Sequence, residues 1–197
     1  MKMFPMIFLF LSVFVSAQPN TYPQNGLGLY DLAESGMDGI DIVGGSGEGT
    51  DNYRFAFSWM FYRTYIASGR WSLSGSLTAN ISSFDGRLSH TRQRVELRDV
   101  GLTPTWVLWS NAYENRLFQP FIEFGIGLHY LNEKDLPTKH LSTNFQFGDH
   151  LGFGTRFGPD HRYKLTYQFQ HLSNGGIDTP NPGINFHLVS LGFQLKP

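Results

Sequence analysis

A chain of 197 residues without cysteine has no disulfide to hold it together, and no thiol for catalysis or for a Cys-type metal site. Its formal net charge of -1 excludes the broad basic field that nucleic acids require, so no nucleic-acid partner is expected. Charged residues make up 16% of the chain, against roughly 25% in ordinary soluble domains, and aromatic residues reach another 16%.

The opening "MKMFPMIFLFLSVFVSAQ" carries one lysine, an apolar run from Phe4 to Val15, and the small residues Ser16 and Ala17. This pattern predicts a signal peptide over residues 1–17, cleaved after Ala17. The run is shorter than the ~20 residues of a spanning helix, so residues 18–197 are expected to form a single exported domain.

"GMDGIDIVGG" predicts a first strand near residues 36–45. "YRFAFSWMFY" then alternates with period 2, setting Tyr53, Phe55, Phe57, Trp59 and Phe61 against Arg54, Ala56, Ser58, Met60 and Tyr62. The pattern recurs in "WSLSGSLTAN", in the run holding Val100, Leu102, Pro104, Trp106 and Leu108, and in the run holding Ile122, Phe124, Ile126, Leu128 and Tyr130. "NFQFGDHLGFGTRF", "YKLTYQFQHLS" and "NFHLVSLGFQL" complete the set, the last strand falling near residues 185–195. Turn-forming stretches separate them, and long and short connections roughly alternate. The predicted fold is all-β, an eight-stranded antiparallel transmembrane β-barrel of the outer-membrane type.

Alternation alone leaves open which face points outward. The polar faces hold Ser, Thr, Gln and Gly with isolated ions such as Glu123 and Arg156, which suits a narrow, filled lumen. The aromatic faces are therefore expected to meet lipid; a soluble, exported lipid-binding barrel would turn them inward. With both termini periplasmic, the seventh strand runs outward. Leu165, Tyr167, Phe169, His171 and Ser173 then face lipid, while Lys164, Thr166, Gln168 and Gln170 line the lumen.

His171 and Ser173 are thus expected together at the outer-leaflet end of a strand. An imidazole beside a hydroxyl is the minimal apparatus of acyl transfer, and a spacing of two puts their Cα atoms roughly 6 to 7 Å apart on one face. The alternative is a polar rim at the membrane interface.

"HLSNGGIDTPNPGIN" resembles the signature of the lipid A 3-O-deacylases, the PagL-type family: H-x-S-N-x-G, then P-N-x-G and the acid of a Ser-His-Glu triad. His171, Ser173, Asn174, Gly176, Pro180, Asn181 and Gly183 match it. The resemblance implies an integral outer-membrane esterase that removes a 3-linked acyl chain from lipid A, with Ser173 as nucleophile and His171 as general base. It implies Asn174, with backbone N–H groups of Gly175 or Gly176, as donors to the oxyanion; ordinary turn chemistry explains the same residues equally well. No cofactor is implied. The partners are lipid A or lipopolysaccharide and the surrounding outer-membrane lipid, and a homodimer is left open.

The chain departs from the family pattern at the third triad position, where Asn185 stands in place of Glu. An amide can orient an imidazole but brings no negative charge. If the turn "GPDHR" sets Phe157 opposite Tyr163, Asp149 falls opposite His171 and is an alternative acid. Arg87, Arg92, Arg94 and Lys139 in the outer loops are candidate contacts to lipid A phosphates, or simply solvated loop residues. His129 and His150 are expected in the lumen, His187 is expected on the lipid face beside the site, and no metal site is predicted. The rival to the esterase is a catalytically silent barrel, with Asn185 as the mark of lost activity.

Overall fold

A computed structural model describes residues 36–66, 69–87 and 94–195; the predicted signal peptide and Arg92 lie outside the described residues. Eight antiparallel strands close on themselves in chain order: β1 (Gly39–Gly47), β2 (Thr50–Ile66), β3 (Trp71–Arg87), β4 (Arg94–Ser110), β5 (Phe118–Leu131), β6 (Phe145–Phe157), β7 (Tyr163–Ser173) and β8 (Ile184–Gln194). Closure is made by β1 against β8, Gly39 opposite Gln194 and Ser46 opposite His187. Closing the ring removes the free edges that an open sheet of these strands would present to lipid, a requirement in a medium without water.

The alternating faces point as the polar residues imply. Leu151 and Phe153 on β6 are 61% and 62% exposed, and Ile42, Phe55, Ile81, Ile122, Leu128, Leu165 and Val189 also point outward. Arg54, Asp99, Glu123, His129 and Gln170 are buried inside. Charges in such an interior need partners. Arg54 donates to Gln170 Oε1 at 2.6 Å and to Ser82 Oγ at 3.1 Å, and Asp99 takes bonds from Ser82, Asn80 and the His129 ring. Lys164 lies 3.0 Å from Asp41 and 3.7 Å from Glu123. A cavity of about 70 Å³ remains in this lumen, with His150 in its wall.

One stretch departs from strict alternation. In β2 the pairing passes from Met60 opposite Ser76 to Tyr62 opposite Gly75, so Phe61 is an extra residue, a β-bulge. The Phe61 ring lies over Gly75 and edge-on to Trp106, 6.5 Å between centroids. Beyond the bulge Arg63 turns inward, 5.5 Å from the Trp109 ring. Tyr62 consequently moves to the outer face, opposite to the simple alternation.

β2, β3 and β4 have 17 residues each, more than the roughly 9 to 11 that cross a bilayer. The β5–β6 connection, residues 132–144, folds over the outer mouth of the barrel. Its Leu136 and Leu141 are buried with Phe84, Leu97, Leu131, Leu172, Ile184 and Phe186. Each such side chain contributes roughly 1.5–3 kcal/mol when removed from water. This apolar plug anchors the ends of β7 and β8. Because Leu172 and Ile184 point inward, their neighbours His171, Ser173 and Asn185 must point outward.

Candidate active site

The register of the last three strands gathers the site. Phe157 pairs with Tyr163, which carries Asp149 opposite His171 and Phe147 opposite Ser173, as counting from the turn predicts. On the other side His171 pairs with Asn185. His171 is therefore flanked on its own face by Asp149 and Asn185, one on each neighbouring strand.

The imidazole is bonded to Asn185. The His171 Nδ1–H donates to Asn185 Oδ1 at 2.7 Å. The amide's orientation is set by its other end, where Nδ2 donates to Glu48 Oε1 at 2.8 Å and the Asn185 backbone N–H reaches the same oxygen at 3.0 Å. A carboxylate only accepts, so the NH2 group must face Glu48 and the oxygen must face His171. That places the ring proton on Nδ1 and leaves the Nε2 lone pair as the basic site. Among the described residues, Asp149 has no hydrogen bond to the ring, and Ser173 Oγ has none to it either. In resting sites such bonds are commonly long and tighten on substrate binding.

Glu48 belongs to the two-residue turn between β1 and β2. It pairs with Lys139, whose Nζ also donates to Gly183 O at 2.7 Å. Burial pushes the Glu48 carboxyl up, but the hydrogen bonds from Lys139 and Asn185 outweigh it and hold it below the ordinary carboxylate value.

The β7–β8 loop is shaped around the ring. Gly183 has φ +59, and a Cβ there would stand 2.6 Å from His171 Cε1 and 3.1 Å from Nε2. No other residue combines that conformation with that clearance. Asn174 is buried: its Nδ2 donates to Ser142 Oγ at 2.7 Å and Asp178 O at 2.9 Å, and its Oδ1 accepts from Gly176 N–H at 2.8 Å. Its own N–H donates to Asn181 Oδ1 at 3.1 Å. Both amide hydrogens and the Gly176 N–H are therefore engaged in bracing the loop, the turn role that the sequence offered beside the oxyanion one. Gly175, at φ +66, carries the remaining backbone N–H of the three.

The basic residues fall differently from their expected role. β3 and β7 are four strands apart in the ring, on opposite sides, so Arg87 is remote from Ser173. Arg94 forks onto Asp85 at 3.0 and 2.6 Å. Lys139 does reach the site but is occupied by Glu48 and Gly183. His187 is on the lipid face, tied to the Tyr167 hydroxyl at 2.6 Å. Among the described residues, no group of His, Asp and Glu is placed to hold a metal.

Glu48 and Ser142 are the contributors that sequence reading missed. One signal for Glu48 was present in "GSGEGTDN": Glu occupies a turn position that ordinarily takes Asn, Asp or Gly.

A closed barrel with apolar residues outside, charges inside and a histidine–serine pair on its lipid-facing surface defines an integral outer-membrane protein carrying a hydrolase-like site. Residues 51–194 match the family model for Lipid A 3-O-deacylase (PagL). The chain belongs to that family. It is 38% identical over 74 residues to lipid A deacylase PagL of Bordetella bronchiseptica, covering 38% of this chain and 40% of that one. Against lipid A deacylase PagL of Pseudomonas aeruginosa it is 24% identical over 142 residues, 72% of this chain and 77% of the other. The fold matches a solved structure titled "Crystal structure of the outer membrane enzyme PagL", with a TM-score of 0.67, 21% identity, and coverage of 79% and 98%.

Proposed function

We propose that this chain is an outer-membrane esterase that removes the 3-O-linked acyl chain of lipid A from within the outer leaflet. The observation that carries the reading is the His171–Asn185 hydrogen bond of 2.7 Å, which in the neutral ring makes Nε2 the basic nitrogen, on the strand face that also bears Ser173.

Ser173 Oγ attacks the ester carbonyl while His171 Nε2 takes its proton. The carbonyl oxygen becomes an oxyanion, and the Gly175 N–H is the donor best suited to it. The intermediate collapses, the C–O bond to the sugar breaks, and Nε2 returns the proton to the departing 3-hydroxyl. Water, deprotonated by the same nitrogen, then attacks the acyl-enzyme, releases the fatty acid and restores Ser173. Phe147 opposite Ser173 and Phe145 beside it, ring centroids 5.1 Å apart, offer apolar surface to the acyl chain. The ester reaches Ser173 laterally, so no path through the plugged lumen is needed.

Detergent-refolded protein is incubated with lipid A and the products are weighed by mass spectrometry, with Ser173→Ala in parallel. Loss of one 3-linked hydroxyacyl chain with the parent alone is expected. An intact lipid A with folded parent protein would sink the reading and favour the silent barrel.

A further inference from the structure

We propose that Glu48 is a positioning residue of this site: it locks the Asn185 carboxamide and, through it, supplies the negative charge that the amide lacks. The inference rests on the reading of Ser173 and His171 as nucleophile and base.

Four features lead to it. Glu48 Oε1 takes both the side-chain and the backbone N–H of Asn185, 137 residues away in the chain, so the amide cannot turn over without losing a charge-assisted bond. The carboxylate is itself held by Lys139, which also grips Gly183 O beside the imidazole. Finally, Glu48 has φ +51 and is followed by Gly49 at φ +80. Non-glycine residues in that region are strained, and such strain concentrates at functional positions. Gly47 completes the arrangement: a Cβ there would stand 1.7 Å from Asn185 O, so only glycine lets the turn approach β8 this closely.

As Nε2 takes the serine proton, the imidazolium charge is felt at Asn185 Oδ1. An amide polarised by a carboxylate on its N–H side is a better acceptor than a free one. The His171–Asn185–Glu48 chain therefore does with two side chains what a direct carboxylate does with one.

The test is a double-mutant cycle. In the parent, Glu48→Ala is expected to lower kcat by about 10- to 100-fold, the range seen when the hydrogen-bond partners behind metal-ligating histidines are removed, with KM little changed. In an Asn185→Glu background the charge sits directly on His171, and the same change is expected to cost under about threefold, since the coupling between the sites is gone. Equal penalties in both backgrounds would mean a merely structural turn and overturn the proposal. Nitrogen NMR of histidine-labelled protein in micelles gives a readout that needs no turnover. The Nδ1–H tautomer of His171 is expected in the parent and a mixture in Glu48→Ala; an unchanged tautomer overturns the proposal. Parent protein without any lipid A hydrolysis would instead refute the esterase reading.

Discussion

The imidazole of His171 and the carboxamide of Asn185 face each other across β7 and β8, 14 residues apart in the chain and 2.7 Å apart at Nδ1 and Oδ1. Asp149 occupies the mirror position on β6 without bonding the ring. The two candidates for the third triad member therefore stand on either side of one histidine, and of the two only Asn185 is hydrogen-bonded to it.

Their roles separate by substitution. Asn185→Ala is expected to lower kcat by about 100-fold, since losing the group that fixes a catalytic tautomer is costly in serine hydrolases. Asp149→Asn is expected to change it by less than about threefold, within the range of a neighbour that makes no bond to the base. Steady-state hydrolysis of lipid A by both variants decides the matter, and the reverse ranking would return the acid role to Asp149.

Gly183→Ala tests the clearance around the ring. The new methyl group would overlap His171 Cε1, and a non-glycine residue at positive φ adds roughly 1–2 kcal/mol of strain. A displacement of the base by about 1 Å is expected to reduce kcat by about 100-fold. Folding, followed by the faster migration of an unheated barrel on a denaturing gel, is expected to persist.

Asn174 separates a brace from an oxyanion donor. Asn174→Ala removes the bonds to Ser142 Oγ, Asp178 O and the Gly176 N–H, each worth about 0.5–1.5 kcal/mol net because these residues are half-buried or exposed. The expected result is faster proteolytic cleavage within residues 174–183 together with lower activity. Loss of kcat with unaltered protease resistance would assign the side chain to the oxyanion instead.

The Glu48 link has a defined pH dependence. Its carboxyl titrates below the ordinary value in the folded protein, burial raising it but the bonds from Lys139 and Asn185 together lowering it by more. The unfolded chain thus binds the proton more readily. The stability the link contributes is complete above the unfolded value of about 4.3 and is lost as pH falls through the lower folded value. Thermal unfolding of the parent and Glu48→Gln at a series of pH values is expected to show a difference near neutrality that closes in acid. A difference constant across that range would show that the charge is not what stabilises the turn.

Much of the barrel was legible because each strand has two faces in two different media. A period of 2 in side-chain polarity records that division directly, so the strands, their even number and the outward aromatic face could be read in advance. The bulge at Phe61 was hidden, since one added residue leaves every local composition unchanged while exchanging the inner and outer faces for the rest of β2.

The same limit divides the site. The spacing of His171 and Ser173, the turn glycines and the departure at Asn185 are local, and local spacing on a strand determines which side chains share a face. The union of Glu48 with Asn185 depends on closing β1 against β8, and the capture of Lys139 depends on Leu136 and Leu141 drawing their loop over the mouth of the barrel. Those contacts join residues far apart in the chain through apolar burial and ring closure. Neither leaves a periodic trace, so the sequence determined the barrel and the placement of His171 and Ser173 on one face, and only the tertiary structure decided which carboxylate bonds Asn185 behind the histidine.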